Sequence, residues 1–233
     1  TFAYTGVNGG LVIAVADDPG MHSSQNEQDS RYYARSAHIP MLEPSDSQEA
    51  KDMVGAALFM SEQYDTPVFL RLTTRISHSQ GIVALGERTE VDLKPYRKDF
   101  QKNVMMPGMA RKRHVVLEER MNRIAEDANT LAVNRIEMGD TSIGIITSGI
   151  AYQYAKEAIP DASYLKLGMV HPLPRKMIEE FARKVDRLIV LEELEPVIEE
   201  QVRSWGIAME GKDLFTRQGE YSASMIRSAL GRE

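Results

Sequence analysis

Apolar and polar positions alternate differently in three parts of the chain. In the first, residues 1–10 (TFAYTGVNGG) read as the end of a helix closed by Gly6 and the Asn8, Gly9, Gly10 cluster, and residues 11–16 (LVIAVA) as a buried strand. A shorter strand-like piece, residues 39–42, stops at Glu43 and Pro44; Ser45 or Asp46 then caps a helix, with Glu49 placed as in a capping box. Helical spacing puts Ala50, Met53, Val54, Ala57, Leu58 and Met60 on the buried side of that helix, the methionines as core packing. Thr66 and Pro67 introduce a further buried strand, PVFLRLTT, with Arg71 and Arg75 flanking its outgoing end. Strand, helix, strand makes a parallel crossover, so the loops 17–31 and 73–80 are expected to meet at one edge of a sheet.

The middle part has weaker periodicity. From Gly81, glycine, proline and mixed charge describe an extended connector, followed by VVLEERMNRIAEDANTLAVNRIE, which predicts one long amphipathic helix bridging two bodies. In the third part a strand and helix recur three times: TSIGIITSG with a helix over 151–159, YLKLGMV with a helix over 174–184, and DRLIVLEE with a helix over 196–205. That repeat implies a small parallel sheet. The expected division is therefore an α/β domain at 1–80, a connector and bridging helix at 81–140, and a second α/β domain at 141–233.

Chemistry is expected first in residues 15–31, VADDPGMHSSQNEQDSR. In an open parallel sheet, ligands sit beyond the carboxyl ends of the strands. Here Asp17, Asp18, Pro19 and Gly20 end the strand, and His22, Ser23, Ser24, Gln25, Asn26 and Gln28 follow with donors and acceptors. The same residue types also make ordinary solvated loops, and Ser23 or Ser24 would serve equally to cap a helix starting near Asn26. Elsewhere, Ser148 and Gly149 form a turn whose N–H groups could hold an anion, but with no GxGxxG pattern a packing role is the simpler reading. Glu192, Glu193, Glu195, Glu199 and Glu200 are expected as an exposed face favoured by a helix dipole, or as a docking surface.

Composition narrows the classes. A net charge of −6 gives no basic face for nucleic acid, the single basic stretch 110–114 (ARKRH) being followed by acidic residues. No apolar run approaches the ~20 residues of a membrane helix. With no cysteine and five scattered histidines, neither an iron–sulfur cluster nor a metal site is expected on this chain. The GDG and downstream Asn that place Mg²⁺ on a thiamine diphosphate are missing, as are a Walker loop and a GxSxG elbow.

The stretch GGLVIAVADDPGMHSSQNEQDSRYYARSAHIPMLEPSDSQEAKD resembles the alpha subunit of indolepyruvate ferredoxin oxidoreductase, among the thiamine-diphosphate-dependent 2-oxoacid:ferredoxin oxidoreductases. VFLRLTTRISHSQG, LGMVHPLPRKMIEEF and VLEELEPVIEEQVR continue the likeness over nearly the whole chain. The resemblance implies a parallel-sheet remnant of a pyrimidine-binding domain, then a transketolase-carboxyl-terminal-like three-layer α/β domain, in an internal portion of a larger cytoplasmic subunit. It implies oxidative decarboxylation of aryl 2-oxoacids to acyl-coenzyme A with electrons passed to ferredoxin. Thiamine diphosphate with Mg²⁺ would be held mostly by other segments, with iron–sulfur clusters on other polypeptide. A second, beta, subunit and a dimer or heterotetramer complete the expected assembly. Ser23, Ser24, Gln25 and Gln28 are then expected to wall the cofactor and substrate pocket, Arg31 to grip a substrate carboxylate or form an orienting salt bridge, and His22 to shuttle a proton. The rival expectation is a non-catalytic α/β assembly module.

Overall fold

A computed structural model describes residues 1–231. The chain opens with α1 (Phe2–Thr5), closed by Gly6 at φ 75°, and enters β1 (Val12–Asp17). Helix α2 (Ser30–Ala37) starts four residues beyond Asn26 and takes Asp29 as its cap, the carboxylate accepting from the Arg31 N–H; neither Ser23 nor Ser24 caps it. β2 (Met41–Leu42) is followed by α3 (Ser47–Tyr64), where Asp46 accepts from the Glu49 N–H and Glu49 accepts from the N–H and hydroxyl of Ser45, one residue before the cap, a shifted form of the capping box expected from sequence. β3 (Val68–Thr73) runs parallel to both β1 and β2, with Asp17 opposite Thr73 at the outgoing end.

Short helices α4 (Thr74–His78) and α5 (Phe100–Asn103) bracket an extended segment, and α6 (Pro107–Asp127) follows. This corrects the expected bridging helix. Pro107 at its first turn starts it earlier, so ARKRH lies within it; it ends at Asp127, and residues 135–137 form a strand instead, β4 (Arg135–Glu137). Then come β5 (Asp140–Ser148), α7 (Gly149–Ala158), β6 (Ala162–Leu167), β7 (Met169–His171), α8 (Arg175–Ala182), β8 (Leu188–Leu191), α9 (Val197–Ser204) and α10 (Ala223–Ala229).

Two four-stranded sheets result, in the orders β1-β3-β2-β7 and β4-β6-β5-β8. In the second, β6, β5 and β8 are parallel and β4 adds an antiparallel edge. The run YLKLGMV is not one strand. At Gly168 it passes from the second sheet into the first, where β7 pairs antiparallel with β2. A side chain at Gly168 would lie 2.2 Å from the Val133 carbonyl, which is why the crossing needs glycine.

Each sheet buries apolar faces. Met53, Ala57, Met60 and Tyr64 of α3 pack with Met121 and Ile124 of α6 against Leu42, Val68, Leu70 and Met169. Val54 and Leu58, expected on the same side, are each 42% exposed, because the buried stripe runs through 53, 57, 60 and 64. The second sheet is covered on both faces, by α7 and α10 around Ile145, Tyr164 and Ile189, and by α8 and α9 around Ile146, Leu165 and Val190. Among the described residues no helix is long and apolar enough to cross a membrane.

Candidate functional site

The carboxyl ends of β1, β3 and β8 converge on a buried ionic cluster. Asp17, the last residue of β1, accepts from the Ser30 N–H at 3.0 Å, from the Ser30 hydroxyl, and from Arg71 Nε at 2.5 Å. Arg71 also donates to Glu43, which follows β2, and Glu43 in turn accepts from the Ser148 hydroxyl at 2.9 Å. The group at the Ser148–Gly149 turn is thus an internal carboxylate, in keeping with the packing role that is the simpler reading of that turn. Gly149 sits at φ 54°, with no room for a side chain beside Glu43.

Arg31 occupies the centre and is 1% exposed. Its Nε and Nη2 grip Asp29 at 2.9 and 2.6 Å, its Nη1 donates to Glu192 at 2.6 Å, and Nη2 also donates to the carbonyls of Glu193 and Glu195, both at 2.9 Å. Of its two expected roles, this is the geometry of the salt bridge. The guanidinium is enclosed by protein groups and presents no face to a substrate carboxylate. Burial raises the Asp29 pKa, but Arg31 outweighs it and holds the carboxyl well below the usual range.

The LEELE cluster is not a solvent-facing row. Glu192, Glu193 and Glu199 are buried, and only Glu200 of the five is exposed. Glu192 accepts the N–H groups of Ile198 and Glu199 at the start of α9 as well as Arg31, yet burial still pushes its pKa up. Glu193 accepts from the Tyr221 N–H at 2.8 Å, and burial pushes its pKa up to about 7. The nearby Glu43 and Glu220 carboxylates add to that rise and Arg71 opposes it, while Asp17, Asp29, Glu43 and Glu192 pair with the two guanidiniums of Arg31 and Arg71, with Lys212 at the rim. Lys212 donates to the Glu192 carbonyl at 2.6 Å and to the Tyr221 hydroxyl at 2.9 Å; burial lowers its pKa to about 8.

The loop after β1 is fixed by its own acids. Asp18 accepts from the N–H groups of Ser23 and Ser24 at 2.9 and 3.0 Å and from the Thr74 hydroxyl at 2.6 Å, so the two outgoing loops do meet. Ser23, Ser24 and Gln25 are exposed. His22 lies 3.4 Å from Glu220, which also pairs with Arg75, and Glu27 accepts from the N–H groups of Gly20 and Gly219 at 2.6 and 3.0 Å. Gln28 lines an open groove of about 320 Å³ with Asp29, Tyr32, Tyr33, Glu195 and Arg217. Among the described residues no group of three or more His, Asp or Glu is arranged to hold a metal ion.

The sequence gives no sign of a role for Asp29 and Lys212, and shows Asp17, Glu43 and Arg71 only as strand boundaries. A local signal did exist for Glu192 and Glu193. They follow β8 directly, at the end of a parallel strand where functional groups gather, before α9 begins.

No protein-family model matches the chain. Over its whole length it is 45% identical to indolepyruvate oxidoreductase subunit IorA of Pyrococcus abyssi and 44% identical to that of Pyrococcus horikoshii. Over 89% of its length it is 41% identical to the IorA subunit of Archaeoglobus fulgidus. The chain spans 39% of the length of the Pyrococcus relatives. Its fold is similar to a 2-oxoglutarate:ferredoxin oxidoreductase from Magnetococcus marinus, with a TM-score of 0.71, 13% identity, and coverage of 99% of this chain and 50% of that one. A split-gene transketolase aligns with a TM-score of 0.56 and 15% identity over 98% of this chain and 67% of its own.

Proposed function

With the chain homologous along its length to a segment of the indolepyruvate oxidoreductase subunit IorA, we propose that it forms the junction of two α/β units in a thiamine-diphosphate-dependent oxidoreductase acting on aryl 2-oxoacids. The parent protein would transfer the acyl group to coenzyme A and two electrons to ferredoxin, in company with a second subunit. The observation that carries this reading is the buried Asp29–Arg31–Glu192 cluster, which ties the loop after β1 to the loop after β8.

The residues of this chain do not fit the diphosphate of the cofactor. Asp17, Asp18 and Glu193 stand at or just beyond the ends of β1 and β8 as acids, Glu220 engages Arg75, and Arg31 and Arg71 are already engaged by protein acids. The part left to this chain is orientation. The ionic cluster holds the carboxyl ends of β1, β3 and β8 in one rigid wall, which a reaction centre needs to within fractions of an ångström. Asp18 and Glu27 hold the loop 17–31 against that wall through backbone N–H groups, leaving Gln28, Tyr32 and Tyr33 facing the groove.

A calorimetric titration tests the division of labour. The 233-residue chain should give no saturable Mg²⁺-dependent heat with micromolar thiamine diphosphate, whereas the full-length subunit with its partner should. A saturable heat from the chain itself would overturn the assignment of the diphosphate to other segments.

A further inference from the structure

The groove beside Gln28 opens beyond the carboxyl ends of β1 and β8, the place where parallel α/β sheets take their ligands. Helix α2 supplies Tyr32 and Tyr33, the loop after β8 supplies Leu194 and Glu195, and Arg217 reaches it from the segment before α10. Leu194 has a left-handed backbone, at φ 60°. The buried cluster holds it there: the carbonyls on either side, of Glu193 and Glu195, both accept from Arg31 Nη2 at 2.9 Å, and the Glu195 N–H donates to Asp29 at 3.3 Å. Strained backbone of this kind collects at ligand sites. The groove volume of about 320 Å³ falls within the roughly 300–1,000 Å³ of small-molecule sites.

The lining selects among ligands. Its charges are already matched: Asp29 by Arg31, Glu27 by the N–H groups of Gly20 and Gly219, and Arg217 by Glu195 at 3.6 Å. No cation is left over for a phosphate or carboxylate, whose recognition needs one. Apolar surface is offered instead, by Leu194 and by the rings of Tyr32 and Tyr33, the latter residue 57% exposed. The Gln28 side chain and the Glu195 carboxylate accept no hydrogen bond among the described residues, so both are open to a donor. A neutral aromatic ring that carries an N–H suits all of these groups, and an indole is such a ring. Resting on the functional proposal above, we infer that this groove receives the indole end of the substrate between Tyr32, Tyr33 and Leu194, with the ring N–H donating to Glu195 and the oxoacid end turned outwards.

Binding and turnover by the full-length subunit with its partner test this together. Indole itself is the binding probe, followed by saturation-transfer NMR, which needs no turnover. Indole should bind the unaltered complex, and 1-methylindole, which lacks the N–H, should bind at least fivefold more weakly. Tyr33→Ala should weaken indole at least tenfold, and Tyr33→Phe, which keeps the ring, should restore affinity to within threefold. Tyr33 is exposed, so circular dichroism should show unchanged folding in both variants. In the turnover assay Tyr33→Ala should raise the KM for indolepyruvate at least tenfold and lower kcat by less than that. A complex that turns over indolepyruvate but binds no indole, that binds 1-methylindole as tightly as indole, or whose indole affinity and KM ignore Tyr33→Ala would overturn this inference and leave the functional proposal standing. Indole bound through Tyr33 by a complex that turns over no aryl 2-oxoacid would uphold the ring site and refute the functional proposal.

Discussion

Replacing Arg31 with alanine separates a structural guanidinium from one that meets substrate. In the native chain Arg31 is 1% exposed and binds Asp29 and Glu192, themselves buried. The substitution leaves two carboxylates without their principal counter-charge, and breaking a buried pair by removing one partner costs roughly 3–5 kcal/mol. Glu192 keeps the N–H groups of Ile198 and Glu199, and Asp29 keeps the Arg31 backbone N–H, which favours the lower end of that range. For a chain of this size the loss corresponds to a fall in Tm of roughly 6–20 °C. The pH dependence has a defined sign. Without Arg31 both carboxyls bind protons more tightly in the folded state, so the penalty should shrink as pH falls from 7 towards 5. Arg31→Met, which restores volume without charge, should recover less than half of the loss. Urea unfolding followed by circular dichroism at both pH values measures these quantities. A change below about 1 kcal/mol, independent of pH, would refute the buried-cluster account and return Arg31 to the substrate.

Other consequences follow from the same geometry. Glu193 has a folded pKa near 7 against an ordinary 4.5, so its contribution to stability is full below pH 4.5 and lost as pH rises to 7. That shift corresponds to roughly 3 kcal/mol, and Glu193→Gln should flatten the stability–pH curve over that window. Glu49 is the opposite case. Burial raises its pKa, but Lys166 and Arg135 outweigh this and lower it to about 2, so its contribution stands above pH 4.5 and fades as pH falls towards 2. Glu49→Gln leaves fully buried Lys166 without its carboxylate and should cost roughly 3 kcal/mol in urea unfolding, whereas Asp52→Asn on the exposed side should stay within about 0.5. Gly149→Ala places a methyl group 2.6 Å from Glu43 Oε1 at a φ of 54° and should destabilise by roughly 1–3 kcal/mol in the same assay.

The parts of the fold that local patterns govern were legible. The capped start of α3 depends on residues within a turn of one another, and β1, β3, β5 and β8 each show as a local apolar run whose strand–helix order implies the parallel pairing. What was hidden depends on distant partners. The bond from Arg31 to Glu192 spans 161 positions, so neither residue carries a local sign of burial, and a run of glutamates at a helix start looked solvated. The end of α6 was misplaced because apolar spacing persists through Leu131 and Val133, although Asn129 and Thr130 already turn the chain. Gly168 looked like an ordinary strand residue, and only the nearby Val133 carbonyl shows why the chain changes sheets there. In the loop 17–31 the sequence shows an unbroken polar run from His22 to Ser30. Part of its work is internal, since Asp18 takes the N–H groups of Ser23 and Ser24.

The most direct measurement of the functional proposal is steady-state turnover by the full-length subunit with its partner, following ferredoxin reduction anaerobically. Indolepyruvate should be oxidised only when thiamine diphosphate, Mg²⁺ and coenzyme A are all present, with kcat/KM at least tenfold above that for pyruvate or 2-oxoglutarate. Ferredoxin reduction that ignores the omission of thiamine diphosphate, or no turnover of any aryl 2-oxoacid, would contradict it.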